Sequence, residues 1–358
     1  MQLSQAIQVA VRGGVNHVLQ KTPEPFFSRI ARPSSIYIMI TRRCNLRCVM
    51  CGIPLNPSPE ITVDEWKRIL DDISNWTRGS CKLQFSGGEP LHFKGFMEVL
   101  KHSVDLGLLP GFCTNATLIN EDNAARLMEM GLENINVSLD GVEEFGDRIR
   151  GAGSFARTDA GIQRLVDART KTKSRTPIIL KTCLMGVNTP GIGRLLEYVR
   201  SSGVDAILFQ PMEIREFDSD SNASLLNCEE SAMQEAVDLI IESRMKEKIV
   251  LNSLANLRLF AEYFKRRGAP GPVRQRCTVG DGSLMIDSQG AMSFCIGLGE
   301  IGNATVTPPS VAWRSGEAKK SRQRIYKCQK GCLQTCYATR TLLDKVRSFA
   351  FLVRPSTK

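Results

Sequence analysis

The run Ser35-Ile36-Tyr37-Ile38-Met39-Ile40 opens into Thr41-Arg42-Arg43-Cys44-Asn45-Leu46-Arg47-Cys48-Val49-Met50-Cys51. A β-rich apolar run that ends in three closely spaced thiols reads as a strand delivering a metal-binding loop. Short Cys spacings let one loop wrap a single soft metal centre. Iron–sulfur clusters are usually held by four Cys, and this loop offers Cys44, Cys48 and Cys51 with no fourth close in sequence. An iron without a protein ligand can bind substrate or cofactor. The alternative is a zinc knuckle, but structural zinc is closed by four protein ligands.

Outward from this loop, apolar β-rich runs alternate with amphipathic helical patterns. Strands are expected over 35–41, 81–86, 110–114, 133–140, 177–184 and 204–210, with helices near 62–76, 93–106, 120–130, 154–169 and 190–202. Thr62-x-x-Glu65 is a capping box, and Val63, Trp66, Ile69, Leu70 and Ile73 share one helical face. Strands alternating with helices imply parallel β-structure and βαβ crossovers. The fold class is therefore α/β, and six units make a partial (β/α)6 barrel of TIM type rather than a closed ring of eight. The Cys loop, Gly87-Gly88-Glu89, Thr114-Asn115, Ser138 with Asp140, and Gln210-Pro211 all fall at the C-terminal ends of strands. That is where such folds place chemistry.

The 358 residues are 42% hydrophobic and 23% charged, as in ordinary globular proteins. No apolar run approaches the ~20 residues of a membrane span, and Met1 to Leu19 lack the apolar core of a signal peptide. A cytoplasmic location is expected, where twelve Cys would be reduced. The net charge of +10 lies in residues 312–358, which hold twelve Lys or Arg against Glu317 and Asp344. A basic end can attract an anionic substrate, an acidic peptide or an anionic membrane surface, or can be a solvated face. No nucleic-acid partner is expected.

Residues 1–34 read as a helix-prone lead segment. After Pro211, a polar loop over 212–227 precedes a helix that starts near Asn227-x-x-Glu230 and ends near Lys248. A second helical run, Ser253 to Arg267, stops at Gly268-Ala269-Pro270-Gly271-Pro272, a linker by composition. The expected division is 1–34, a core over 35–268, a small domain over 269–345 and a basic tail over 346–358. In the small domain, Leu284-Met285-Ile286-Asp287 and Ala291-Met292-Ser293-Phe294 flank Gly290 as a β-hairpin, which would bring Cys277 and Cys295 together. Cys328, Cys332 and Cys336 follow at a spacing of four, which puts side chains on one helical face. Five Cys suffice for one four-thiolate centre, cluster or zinc.

Cys44, Cys48 and Cys51, with Gly87-Gly88-Glu89-Pro90 and Val137-Ser138-Leu139-Asp140-Gly141, resemble the signature of the radical S-adenosylmethionine (radical SAM) enzymes in order and approximate distance. The resemblance covers most of residues 35–211. It implies a [4Fe–4S] cluster on the three Cys, whose open iron is chelated by S-adenosylmethionine, and reductive cleavage to a 5′-deoxyadenosyl radical. Residues 277–336 resemble the twitch subdomain, the shortened SPASM extension. The match is close in Cys277-x12-Gly290-x4-Cys295 and looser at Cys328, Cys332 and Cys336. A second, auxiliary [4Fe–4S] cluster is implied there, with its last ligands open among those three.

The resemblance also implies that Glu89 accepts a hydrogen bond from the cofactor's amino group and that Ser138 and Asp140 contact its ribose. Gly87 and Gly88 would let backbone approach the ligand, and Thr114 and Asn115 lie at the barrel mouth. Met50 departs from the family, where the position before the third Cys is commonly aromatic and packs near the adenine; a Met can fill that space. Cys81, Cys113, Cys183 and Cys228 read as buried structural thiols, with a role for Cys113 near the radical as the lesser alternative. His17, His92 and His102 have no partner spacing that suggests a site. Asp147, Arg148 and Arg150 fall in a Gly-flanked loop after the fourth strand and are candidate substrate contacts.

These readings point to an enzyme that abstracts hydrogen from a C–H bond, leading to oxidation or epimerisation. The single auxiliary cluster and short lead segment favour a small sugar-, cyclitol- or nucleoside-like substrate. The alternatives are a peptide maturase, a non-catalytic cluster or zinc protein, and a membrane-associated enzyme using Leu342–Val353 as an amphipathic anchor. A flavodoxin- or ferredoxin-type protein is the expected electron donor.

Overall fold

A computed structural model describes residues 11, 30–213, 224–266, 277, 279–329 and 332–333. Its organising element is a parallel sheet of β1 (Ser35–Thr41), β2 (Lys82–Gly87), β3 (Leu109–Thr114), β4 (Asn134–Ser138), β5 (Ile178–Leu184) and β6 (Ala206–Pro211). These strands neighbour one another in sequence order, each parallel to the next. The crossovers carry α1 (Val63–Thr77), α2 (Phe96–Asp105), α3 (Glu121–Glu129), α4 (Glu144–Arg150) with α5 (Ser154–Thr172), and α6 (Ile192–Ser201). The expected α/β partial barrel is present, with strand ends within two residues of the sequence reading.

Local chemistry sets these elements. Thr62 accepts from the backbone N–H of Glu65 while the Glu65 carboxylate accepts from the Thr62 N–H, a closed capping box. The helix then buries Trp66, Ile69, Leu70 and Ile73, four residues on one 3.6-period face. On the strands the two-residue alternation sorts side chains. Phe85 and Phe112 both stack edge-on against Phe96 of α2 and so face the helices. Gln84 and Cys113 consequently face the barrel interior.

Beyond β6 the chain forms α7 (Glu230–Lys246), whose N-cap is Glu229, with no side-chain cap. The start proposed at Asn227 therefore comes two residues early, and Cys228 precedes the helix. The expected run from Ser253 to Arg267 is two short helices, Leu254–Leu257 and Phe260–Lys265. The second is held against the end of β6 by Tyr263, whose hydroxyl donates to the Met212 carbonyl.

The predicted hairpin forms as β7 (Ser283–Ile286) and β8 (Ala291–Ser293), extended by β9 (Glu300–Asn303). Its turn is closed by Gly290, which donates to the Asp287 carbonyl and sits at φ +83°. This hairpin joins the barrel's own sheet. β7 pairs parallel with β1 from Ser35↔Ser283 to Ile38↔Ile286, giving nine strands in the order β6-β5-β4-β3-β2-β1-β7-β8-β9. The helix α8 (Gly316–Lys327) follows, and its Arg322 is fully buried. That guanidinium stacks over Phe294 and Trp313 at 4.6 and 4.5 Å and donates to the Gly280 and Trp313 carbonyls. Among the described residues, no helix is long and apolar enough to cross a membrane.

Candidate functional site

The loop after β1 is fixed at three points. Thr41 and Arg43 both donate to the Glu60 carboxylate, Val49 N–H donates to the Ile149 carbonyl of α4, and Cys51 N–H donates to the Cys48 carbonyl. Cys44, Cys48 and Cys51, all half-buried, then line one cavity with Met50, Gly87, Gly88, Cys113, Thr114, Asn115, Ser138 and Arg150. Eleven of the sequence-predicted residues thus meet in one place.

The Cys44 and Cys48 thiols are in an environment that resists their ionisation. Burial pushes the Cys48 thiol up to about 11, with Arg150 opposing and the Asp140, Cys51 and Cys44 charges adding. Burial also raises Cys44, while the Leu46 N–H and the Asn115 amide donate to its sulfur. Three thiolates here need a polyvalent cationic centre to offset them, which suits iron–sulfur chemistry. Among the described residues, no group of three His, Cys, Asp or Glu is drawn together to hold one metal ion.

Backbone closeness explains the paired glycines. A Cβ on Gly87 would stand 2.1 Å from the Thr41 carbonyl oxygen, and one on Gly88 the same distance from that of Arg43. Gly88 N–H and Glu89 N–H donate to those two carbonyls. The end of β2 is thereby pressed against the Cys loop, leaving an open cradle on the cavity side.

Glu89 and Asp140 stand behind the cavity wall rather than on it. Glu89 is fully buried. Its Oε1 accepts from the Thr114 hydroxyl and the Leu91 N–H, and its Oε2 from the Asn115 N–H. Burial pushes its carboxyl up to about 7, the hydrogen bonds pulling the other way. Asp140 accepts from the Cys183 N–H and pairs with Arg150 at 2.7 Å. Arg150 reaches across to the Cys48 sulfur at 3.9 Å, and its Nε is buried with no hydrogen-bond partner.

Several expectations change. Residues 147–150 belong to α4 rather than to a loop. Asp147 accepts from the Gly153 and Phe155 N–H groups and the Ser154 hydroxyl, so it anchors the start of α5. Arg148 is exposed and lies over Phe145. Arg150 alone of the three reaches the site. Cys113 is half-buried on the cavity wall rather than enclosed. The pairing of Asp140 with Arg150 escaped the sequence reading, although their spacing across one βα turn carried the signal.

In the second Cys set, burial raises the Cys277 thiol, the Val279 N–H opposing and the Cys295, Cys328 and Asp281 charges adding. Cys328 caps the C-terminus of α8 in an extended conformation, so the helix ends there. Cys328 and Cys332 do not share a helical face as the spacing of four suggested. Burial raises the Tyr263 hydroxyl, with the Glu213, Cys332 and Cys183 charges adding. Cys336 and Leu342–Val353 lie outside the described residues.

Residues 38–182 match the Radical SAM superfamily. The chain is 31% identical over 235 residues to the Fe-coproporphyrin III synthase of Methanosarcina barkeri, covering 64% of this chain and 55% of that protein. It is 36% identical over 123 residues to the PqqA peptide cyclase of Bradyrhizobium diazoefficiens, covering 33% and 32%. The chain thus spans about a third to just over half the length of these curated relatives. Among solved structures, Streptococcus suis SuiB bound to its precursor peptide SuiA aligns with a TM-score of 0.64 at 13% identity, over 87% of this chain and 72% of that one. That likeness concerns the fold.

Proposed function

We propose that this chain, a radical SAM enzyme through its residues 38–182, modifies a peptide substrate by hydrogen abstraction. The observation that carries the reading is the convergence of Cys44, Cys48 and Cys51 with the Gly87–Gly88 cradle and Arg150 on one cavity. The peptide is supported by the PqqA peptide cyclase relative. It replaces the sugar- or cyclitol-like substrate expected from the sequence. That expectation rested on the short lead segment and the single second Cys set, which constrain size poorly.

The cluster and S-adenosylmethionine together supply one-electron cleavage of a sulfonium bond and hence an oxidant for unactivated C–H bonds. The protein's part is positioning and exclusion of water. Cys44, Cys48 and Cys51 would hold the cluster. Arg150, with its free Nε and the Ser138 hydroxyl nearby on the wall, would receive the cofactor's carboxylate. Gly87 and Gly88 would admit its main chain. Glu89 acts one step back: by accepting from Thr114 and from the Asn115 N–H it aims the rim, and Asn115 in turn donates to the Cys44 sulfur. Within the proposed domain over 269–345, Cys277, Cys295 and Cys328 would hold the auxiliary cluster, with the fourth thiolate from Cys332 or Cys336. A flavodoxin- or ferredoxin-type donor would supply the electron. Oxidation would need a one-electron acceptor for the substrate radical, which the auxiliary cluster would supply, whereas epimerisation would need a hydrogen atom returned to it.

The test is metal and sulfide content after anaerobic reconstitution, followed by co-expression with candidate short peptides and mass spectrometry. About eight irons in the wild type, falling to about four in Cys44→Ala/Cys48→Ala/Cys51→Ala, are expected for two [4Fe–4S] centres. A peptide that loses the mass of two hydrogens only in the presence of wild-type enzyme would support oxidation. Unchanged iron in the triple variant would refute the cluster assignment.

A further inference from the structure

The interior wall of a barrel is ordinarily filled by layers of branched apolar side chains. Here β2 to β5 carry a polar layer instead: Gln84, Cys113, Asn136 and Lys181. The Gln84 amide donates to the Cys113 sulfur at 3.7 Å, and the Asn136 amide donates to Gln84 at 3.1 Å. The Lys181 ammonium lies 3.9 Å from the same Cys113 sulfur. Cys113 lines the cavity that also receives the cluster cysteines, so Lys181 stands one contact below that cavity.

Among the described residues, Lys181 differs from Lys82 and Arg150 in lacking a counter-charge. Lys82 at the far end of β2 pairs with Glu133, and Arg150 pairs with Asp140. Among the described residues, Lys181 has no ion-pair partner and its polar contact is the Cys113 thiol. It remains half-buried rather than enclosed. Placing an ammonium partly out of water without a carboxylate costs stability, and among the described residues the Gln84 and Asn136 amides beside it carry no charge to offset that cost. An incoming anion would supply it.

We infer that Lys181 is the anchor for a carboxylate of the substrate inside the barrel, with the Gln84 and Asn136 amides as flanking donors and acceptors. The substrate would then be an acidic one, such as a peptide with a glutamate or aspartate side chain beside the reacting carbon. This rests on the reading above that the barrel admits a substrate. It assigns to Cys113 a place at the substrate rather than in the core. It also separates two anion sites by depth, Arg150 on the cavity wall for the cofactor and Lys181 below it for the substrate.

The test is protection of Lys181 from reductive methylation in the fully reconstituted enzyme, read by mass spectrometry of proteolytic fragments. The probes are glutarate, the uncharged glutaramide and S-adenosylmethionine, each added alone, with exposed Lys320 as the internal reference. Glutarate is expected to slow modification of Lys181 several-fold while glutaramide leaves it unchanged and Lys320 reacts alike in all arms. Equal rates with glutarate and glutaramide would overturn the assignment. So would protection by S-adenosylmethionine alone, since the anion at Lys181 would then be the cofactor's. Formation of 5′-deoxyadenosine by wild-type enzyme under reducing conditions is scored separately. Its absence would remove the radical reading while leaving the anion site to stand or fall by the labelling.

Discussion

Replacing Glu89 with Gln separates the cost of burying a charge from the value of three hydrogen bonds. The ordinary carboxyl value of 4.5 is pushed up to about 7 in the folded chain by burial. A carboxyl whose folded value exceeds its unfolded one contributes stability that is complete below about pH 4.5 and is lost as pH rises through 7. The 2.5-unit gap corresponds to about 3 kcal/mol. In Glu89→Gln the amide nitrogen must face either the Leu91 or the Asn115 backbone N–H, leaving one buried donor unmatched at a cost of ~1–3 kcal/mol. The variant should therefore be less stable than wild type at acid pH and equal or superior above neutrality. The assay is urea unfolding of the reduced, metal-free protein at a series of pH values, reported as wild type minus variant so that other titrations cancel. A difference that stays constant between about pH 4.5 and 8 would refute the argument that burial governs this carboxylate.

Three further predictions follow from contacts already described. Gly88→Ala should lose S-adenosylmethionine binding and measurable stability, because its Cβ meets the Arg43 carbonyl rather than a movable side chain; calorimetric binding and a melting curve check both. Arg150→Met should destabilise by ~3–5 kcal/mol by leaving Asp140 buried and unpaired, and Arg150→Met/Asp140→Asn should recover most of the loss in denaturant midpoint. Arg322→Met should cost at least ~2 kcal/mol, since two backbone carbonyls lose a charged donor; a shift below a few tenths of that in urea unfolding would refute it.

The elements of the core were legible because each announces itself locally. The Thr62 capping box closes as written, the alternation of β1 separates Ile36, Ile38 and Ile40 from Tyr37 and Met39, and the Gly290 turn closes its hairpin. The site was legible to the same extent, since strand ends carry its residues and a parallel fold must gather them. What sequence could not supply were relations between distant segments. Nothing near Ser283 says that it will lie beside Ser35. Nothing near Cys328 reveals that α8 ends there rather than running on to Cys332. The contacts behind the strand ends were likewise beyond the sequence: the Thr114 hydroxyl and Asn115 N–H that donate to Glu89, and the Arg150 that pairs with Asp140, lie on other segments of the chain.

The place of β1 between β2 and β7 bears on how the protein can be taken apart. Ser34 donates to the Gly282 carbonyl, and the ladder continues to Ile38. Cutting the chain before this point would strip one whole side of the strand from which the Cys loop hangs, and would convert it into a bare edge able to recruit a second chain. A shortened protein that lost iron or aggregated would be reporting that injury rather than a missing second cluster. Experiments that seek the separate contribution of the C-terminal cysteines are therefore better done by point substitution than by truncation.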